Sequence, residues 1–386
     1  MGAHGKMACA GAASRSSASS ARAALYAAVA FVLLLVLCMV VANVAGTSRH
    51  PYDLCLAERQ SPPAAVARHP GTIFVSIASY RDHECPATVE SLFAMASDPT
   101  RIHVGLCIQN AEGDPFCPDK KCVSCIPQNI RTVSMPHSRA RGPAYARYHC
   151  AGLYAGQDYF MQIDSHMQFI QDWDDLLIHE LKKCRALLSP GAHSAVLTHY
   201  PPADMTDEVR ARAVTTHICR GTFENTGMIS FLSNQFQNQD KPMPTYYLAS
   251  GFLFGPGRMV LDVPYDPHMD FLFWGEEFLH AMRLWTSGYD IFSPGIAICS
   301  HSYERNYAPN VFVDSDQNKV NWTIPQEKSH DRVRYLLGWP ARRALTPDVT
   351  AEADRYGAGK VRSREDYMLQ AGIDPIKKTV GSTCLY

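Results

Sequence analysis

Short apolar runs, each cut off by polar or charged residues, recur along the chain from Thr72 onward. Thr72 to Tyr80 is rich in β-branched and apolar residues and predicts a first buried strand. Thr88 to Ala96 has helical spacing and ends near Asp98-Pro99, and Ile102 to Ile108 reads as a second strand. Ile130 to Val133 adds a short strand, and Gly142-Pro143 opens a helix running through Tyr154, with Pro143 where a missing N–H costs little. Phe160 to Ile163 is an apolar strand ending on Asp164-Ser165-His166, followed by an amphipathic helix from Asp172-Trp173-Asp174 to about Leu188. Ala195 to Thr198 is a strand, Pro201 to Met243 reads as a polar, irregular loop over a site, and Tyr247 to Phe254 resumes the sheet. Phe278, Met282 and Trp285 give Glu277 to Thr286 a packing face, and Gly288 breaks that helix. Ile291-Phe292 and Ile296 to Cys299 then precede His301. Strands alternating with helices predict an α/β fold with a mainly parallel central sheet flanked by helices.

In such sheets ligands bind beyond the carboxyl ends of the strands, which singles out Asp164 and His166. Strand side chains alternate, so Asp-x-His presents a carboxylate and an imidazole on one side. That pair could hold Mn2+ or a similar ion and leave positions open for a diphosphate; the plainer alternative is that Asp164 caps a turn. His301, after another apolar strand, is a candidate third ligand or a structural histidine. Arg139, Arg141 and Arg147 surround the start of a helix, an arrangement that suits a phosphate, although a solvated basic stretch has the same composition. Glu276 and Glu277 follow a Gly-terminated aromatic run and suit a sugar's hydroxyls, or simply complement a helix dipole.

Ahead of this region, Ala23 to Ala45 carries no charge. As a helix it would span about 35 Å, enough to cross a bilayer with slight tilt. Lys6, Arg15 and Arg22 precede it and no acidic residue occurs before Asp53, which predicts a cytoplasmic N-terminus. A cleaved signal peptide is the rival reading, with Val44-Ala45-Gly46 offering small residues for cleavage. The expected division is a cytoplasmic tail (1–22), a transmembrane signal-anchor helix (23–45), a Pro-containing stem (46–70), one main domain (71–310) and a C-terminal helical extension (311–386). Of the thirteen cysteines, Cys9 and Cys38 lie before or within the span. An oxidising lumen would pair several of the rest, while the odd remainder leaves at least one thiol unpaired. Cys117, Cys122 and Cys125 cluster with Cys107 nearby, which favours disulfides over a zinc site. Asn321-Trp322-Thr323 is the one N-glycosylation sequence. A net charge of −1 gives no basic field for nucleic acid.

Six ordered blocks carry a resemblance: Ser76 to Asp82, Ala140 to Arg147, Gln162 to His166, Pro264 to His268, Phe273 to Glu277, and His301-x-Tyr303-x-Arg305. Together they resemble the GlcNAc-transferase family of the Skp1 hydroxyproline N-acetylglucosaminyltransferases and the protozoan polypeptide α-GlcNAc-transferases. Gly275 to His301 is also similar to the Gly-Glu-Asn helix and following His of the mucin-type polypeptide GalNAc-transferases. The resemblance implies a GT-A-like fold, transfer from UDP-GlcNAc with retention of configuration, and a divalent metal, Mn2+ with Mg2+ as the alternative. It implies Asp164, His166 and His301 as the metal ligands. Ser76, Ala78, Tyr80, Arg81, Asp82, Gly142, Arg147 and Asp164 would contact the nucleotide and diphosphate, and Glu276, Glu277 and Asp270 would serve the donor sugar or acceptor. The acceptor would be a Thr/Ser-rich or hydroxyproline-containing polypeptide, such as a mucin, met on the lumenal side of a Golgi membrane by a single-pass type II protein. A catalytically inactive binding protein of the same fold, a transferase for another UDP-sugar, and a zinc or redox protein are the competing readings.

Overall fold

The computed structural model describes residues 71–203, 214–237, 241–305 and 308–384, all within the second of two units that divide after Ser61. Ala23 to Ala45 lies outside the described residues, and among those described no helix is long and apolar enough to cross a membrane.

The elements run β1 (Ile73–Tyr80), α1 (Cys85–Ala94), β2 (Ile102–Asn110), β3 (Ile130–Pro136), α2 (Pro143–Ala151), β4 (Tyr159–Asp164), β5 (Met167–Phe169), α3 (Trp173–Lys183) and β6 (Ser194–Thr198). They continue with β7 (Val214–Phe223), β8 (Ile229–Gln237), β9 (Met243–Thr245), β10 (Phe252–Pro256), α4 (Glu276–Thr286), β11 (Tyr289–Ser293), β12 (Cys299–His301), α5 (Val311–Gln317), α6 (Thr323–Leu336) and α7 (Arg364–Gln370), with short helical turns between some of them. The central sheet has eight strands in the order β3-β2-β1-β4-β10-β6-β11-β9. β3, β2, β1 and β4 are parallel neighbours, and so are β6 and β11. β10 runs antiparallel between β4 and β6, and β9 antiparallel on the edge.

Strands covered on both faces need apolar residues at nearly every position, and β1 is buried along almost its whole length. Its alternation supplies two cores. Ile73, Val75 and Ile77 meet Val89 and Leu92 of α1 and Trp173 and Leu177 of α3. Phe74 joins Phe160, Leu253, and Phe278 and Leu284 of α4 in the other cluster. Val333 and Leu336 of α6, Trp339, and Tyr367 of α7 belong to that second cluster, so the C-terminal helices are packed against α4. Fully burying one such side chain is worth about 1.5–3 kcal/mol.

Three expectations need correction. Pro201 to Met243 is not simply an irregular loop: β7 and β8 within it pair as an antiparallel ribbon. Its strands are rich in Thr, Ser, Asn and Gln, which hid them, yet Ile218, Phe231 and Ile229 are buried in the core. The strand expected over Tyr247 to Phe254 begins only at Phe252, after a turn in which the Phe252 N–H bonds to the Ala249 carbonyl. The helix expected to reach Tyr154 stops at Ala151, whereas the one expected to run to about Leu188 is α-helical to Lys183 and continues as a 3-10 segment through Leu187.

The cysteine cluster forms Cys85–Cys117 and Cys122–Cys125 disulfides, and Cys219–Cys384 ties β7 to the C-terminal residues. Cys107, Cys150, Cys184 and Cys299 are buried free thiols. The Cys219–Cys384 link closes a loop of 165 residues, where the constraint on the unfolded chain is large. Replacing both by serine is expected to cost about 3–5 kcal/mol, read from denaturant unfolding without reductant. An unchanged midpoint would show that the link adds nothing.

Candidate active site

β4 delivers Asp164 at its C-terminal end, level with Ala78 of β1. The chain turns at Ser165, and Thr88 of α1 fixes that turn: its hydroxyl donates to the Ser165 carbonyl at 2.9 Å and accepts the Met167 N–H at 2.9 Å. β5 then pairs with β12, placing His301 opposite Met167. Ser302 secures this arrival, its N–H on the His166 carbonyl at 3.1 Å and its hydroxyl on Glu84 at 2.7 Å. One ligand atom each from Asp164, His166 and His301 therefore lies within 4.8 Å of the others. His301 Nε2 is 3.2 Å from Asp164 Oδ2 and 3.1 Å from His166 Nε2. Two imidazole nitrogens and a carboxylate oxygen facing one point are a donor set that fits a divalent transition ion. A Cβ at Gly251 would sit 2.9 Å from Asp164 Oδ2, so only glycine leaves room for that carboxylate.

Asp82 is 3% exposed and lies under this cluster. It pairs with His166 Nδ1 at 2.9 Å, accepts the Ser165 hydroxyl at 2.5 Å and the Glu84 N–H at 3.0 Å, and pairs with Arg305 at 3.0 Å. Burial alone would raise its carboxyl, but the His166 and Ser165 hydrogen bonds and the Arg305 charge more than offset that and hold it below the usual range. With Nδ1 committed to Asp82, Nε2 of His166 is the atom turned to Asp164 and His301.

Arg147 of α2 is buried, its guanidinium 2.7 Å from both Glu276 oxygens and 3.1 Å from Asp164 Oδ1. For Asp164, too, burial opposes ionisation, and the His301 hydrogen bond and Arg147 charge outweigh it, so the carboxyl stays well below its ordinary range. Glu277, next on α4, accepts the Tyr200 hydroxyl at 2.6 Å and the Ser250 N–H at 2.8 Å. Burial pushes its carboxyl up to about 7 against those two donors.

The residues expected at the nucleotide have these surroundings. Asp82 is a support beneath His166, and Arg147 is already shared between two carboxylates. Ser76 is 1% exposed in the middle of β1, where the ladder to Gly105 and Gln162 encloses it. Tyr80 and Arg81 both reach Asp314 of α5, at 2.7 and 2.8 Å, and Arg81 also holds Asp114 at 2.9 Å. They join the end of β1 to α5. Gly142 precedes α2 with φ of 90°, and a side chain there would meet the Phe271 backbone at 3.1 Å. Asp270, partly exposed, lies 3.5 Å from Arg141, and no contact joins it to the Asp164 cluster among the described hydrogen bonds. Tyr200, Ser165, Gly251 and the Asp82–Arg305 pair were not foreseen, although Ser165 and Arg305 stood inside the blocks that carried the resemblance.

Residues 72–128 and 118–377 match the family described as glycosyltransferase (GlcNAc). Those segments take in most of the chain, which therefore belongs to this family of GlcNAc glycosyltransferases. No curated protein sequence matches. Among solved structures, GalNAc-T7 with UDP, GalNAc and Mn2+ is similar at 14% identity over 74% of this chain, with a TM-score of 0.44. The chain spans 55% of that protein's length. Staphylococcus aureus TarS 1-349 in complex with UDP-GlcNAc is 12% identical over 68% of this chain and 70% of its own, with a TM-score of 0.36. The mannosyltransferase PcManGT from Pyrobaculum calidifontis, in complex with GDP-Man and Mn2+, is 12% identical over 78% of this chain and 85% of its own, with a TM-score of 0.38.

The raised Glu277 carboxyl has a signed consequence. The folded chain keeps this proton to about pH 7, whereas the unfolded chain releases it near the ordinary glutamate value of 4.5. Stability from this group therefore falls as pH rises between those values and levels off above them. Relative to wild type, Glu277→Gln is expected to gain about 3 kcal/mol between pH 4.5 and 7.5, measured by denaturant unfolding at several pH values. A pH-independent difference would contradict the assignment.

Proposed function

We propose that the protein is a metal-dependent retaining glycosyltransferase that moves N-acetylglucosamine from UDP-GlcNAc to Thr, Ser or hydroxyproline hydroxyls of secretory or surface glycoproteins such as mucins. The observation that carries the reading is the convergence of Asp164, His166 and His301 beyond the end of β4. A divalent ion held there, Mn2+ with Mg2+ as the alternative, would supply a Lewis acid for the charge that develops on the departing diphosphate, worth several kcal/mol.

The chain's own groups prepare that chemistry. Asp82 orients His166 so that Nε2 is free to ligate. Arg147 keeps Asp164 ionised and anchors Glu276 beside it. Fixed charges of this kind need no reorganisation when the sugar–phosphate bond breaks. Glu277, half-protonated near neutral pH and held by Tyr200, is the carboxyl best suited to a hydroxyl of the donor sugar or of the acceptor. Retention, implied by the sequence resemblance, has the acceptor hydroxyl approach on the face UDP leaves, with a phosphate oxygen taking its proton. No side-chain base is then required.

The setting we propose is the Golgi lumen, with 1–22 cytoplasmic, 23–45 as the anchor, 46–70 as a stem, 71–310 catalytic and 311–386 as the C-terminal extension. The disulfides support an oxidising compartment.

Incubating the enzyme with a Thr-rich peptide and a panel of UDP-sugars, with and without Mn2+, tests the reading. Transfer from UDP-GlcNAc only with metal, an α-linked product by NMR, and loss of transfer in Asp164→Ala are expected; metal-independent turnover would refute it. Asp82→Asn is expected to bind Mn2+ about 10–100-fold more weakly, by titration of the metal-free protein, and to unfold at a lower temperature because its ion pair with Arg305 is lost. Wild-type metal affinity in that variant would remove Asp82 from its positioning role.

A further inference from the structure

Asn321 and Trp322 close the turn between α5 and α6 and Thr323 opens α6, with Asn321 and Thr323 exposed. The Thr323 hydroxyl donates to Asn321 Oδ1 at 2.9 Å, which leaves the carboxamide nitrogen outside that bond. The turn is anchored from within. Trp322 Nε1 donates to Asp316 at 2.7 Å, and the Trp322 ring meets Phe312 edge-on at 5.0 Å between centroids. On either side of the sequence stand two apolar side chains that the protein leaves uncovered, Val320 at 44% and Ile324 at 56% exposure. The three disulfides support an oxidising compartment, the setting in which such asparagines are modified.

We propose that Asn321 carries an N-linked oligosaccharide, and that this glycan covers the apolar shoulder of Val320 and Ile324. The proposal rests on the lumenal setting given above. The co-reactant is an oligosaccharide on a lipid diphosphate. A bond forms between sugar C1 and Asn321 Nδ2 while the C1–oxygen bond to the diphosphate breaks. The lipid diphosphate leaves with the electron pair, and the amide nitrogen gives up one proton. The hydrogen-bond partner of Asn321 is Thr323 rather than Asp164, His166, His301, Glu276 or Glu277, and we assign the glycan to folding and solubility rather than to transfer.

The full chain is expressed in a eukaryotic cell as wild type, as Asn321→Gln, as Thr323→Ala, as Thr323→Ser, and with a known acceptor sequon appended after Tyr386. Wild type and Thr323→Ser should run one glycan step heavier than Asn321→Gln and Thr323→Ala, and an amide-cleaving glycosidase should abolish the difference. Asn321→Gln should keep wild-type kcat and KM per folded molecule and aggregate more readily. If the appended sequon is modified and Asn321 is not, the site is wrong and the lumenal reading stands. If neither is modified, both fall.

Discussion

A deeply buried carboxylate decides the geometry of this site. Asp82 holds His166 by Nδ1, and without that bond the imidazole would have no fixed direction in which to offer Nε2. Four groups reach Asp82 at once: the His166 ring, the Ser165 hydroxyl, the Glu84 N–H and the Arg305 guanidinium. A carboxylate this deeply buried is tolerated only because its oxygens are so fully paired. The same contacts bind the end of β1, the turn after β4 and the segment after β12, three parts of the chain far apart in sequence. The site and the junction of these elements are therefore one structure, and disturbing either should disturb the other.

Around this support the charges form a chain. Asp164 sits between the imidazole of His301 and the guanidinium of Arg147, and Arg147 passes the contact on to Glu276. Removing Arg147 would leave two carboxylates without a shared cation in a largely buried place, a costly outcome. Glu277 differs from its neighbour because its partners are a phenol and an amide rather than a cation. Adjacent residues of one helix thus hold a carboxylate paired with a guanidinium and a carboxyl whose pKa burial raises, set apart by what each one faces.

The parts of this arrangement that could be read from sequence are those fixed by local pattern. The first parallel strands show as long apolar runs because both their faces are covered, and Asp164 and His301 stand out as polar residues at the ends of such runs. The direction of β10 could not be read, since it depends on how neighbouring strands return rather than on β10's own residues. β7 and β8 were hidden because Thr, Asn and Gln dominate their alternation, and only the buried minority of positions touches the core. Arg147 stands among basic neighbours in sequence, and nothing there shows that its neighbours in space are the carboxylates of Glu276 and Asp164. Tyr200 and Asp82 were misjudged or missed for the same reason: their partners lie 77 and 84 residues away. Periodicity predicts faces and ends; it does not predict which ends meet.

The central claim is that Asp164, His166 and His301 share one divalent cation. A crystal structure grown with Mn2+ and a UDP-sugar, with anomalous diffraction collected at the manganese edge, tests it most directly. The account predicts a single anomalous peak roughly 2.0–2.3 Å from Asp164 Oδ2, His166 Nε2 and His301 Nε2, with diphosphate oxygens in the remaining positions. A peak elsewhere, or a bound diphosphate held without any ion between these three side chains, would contradict it.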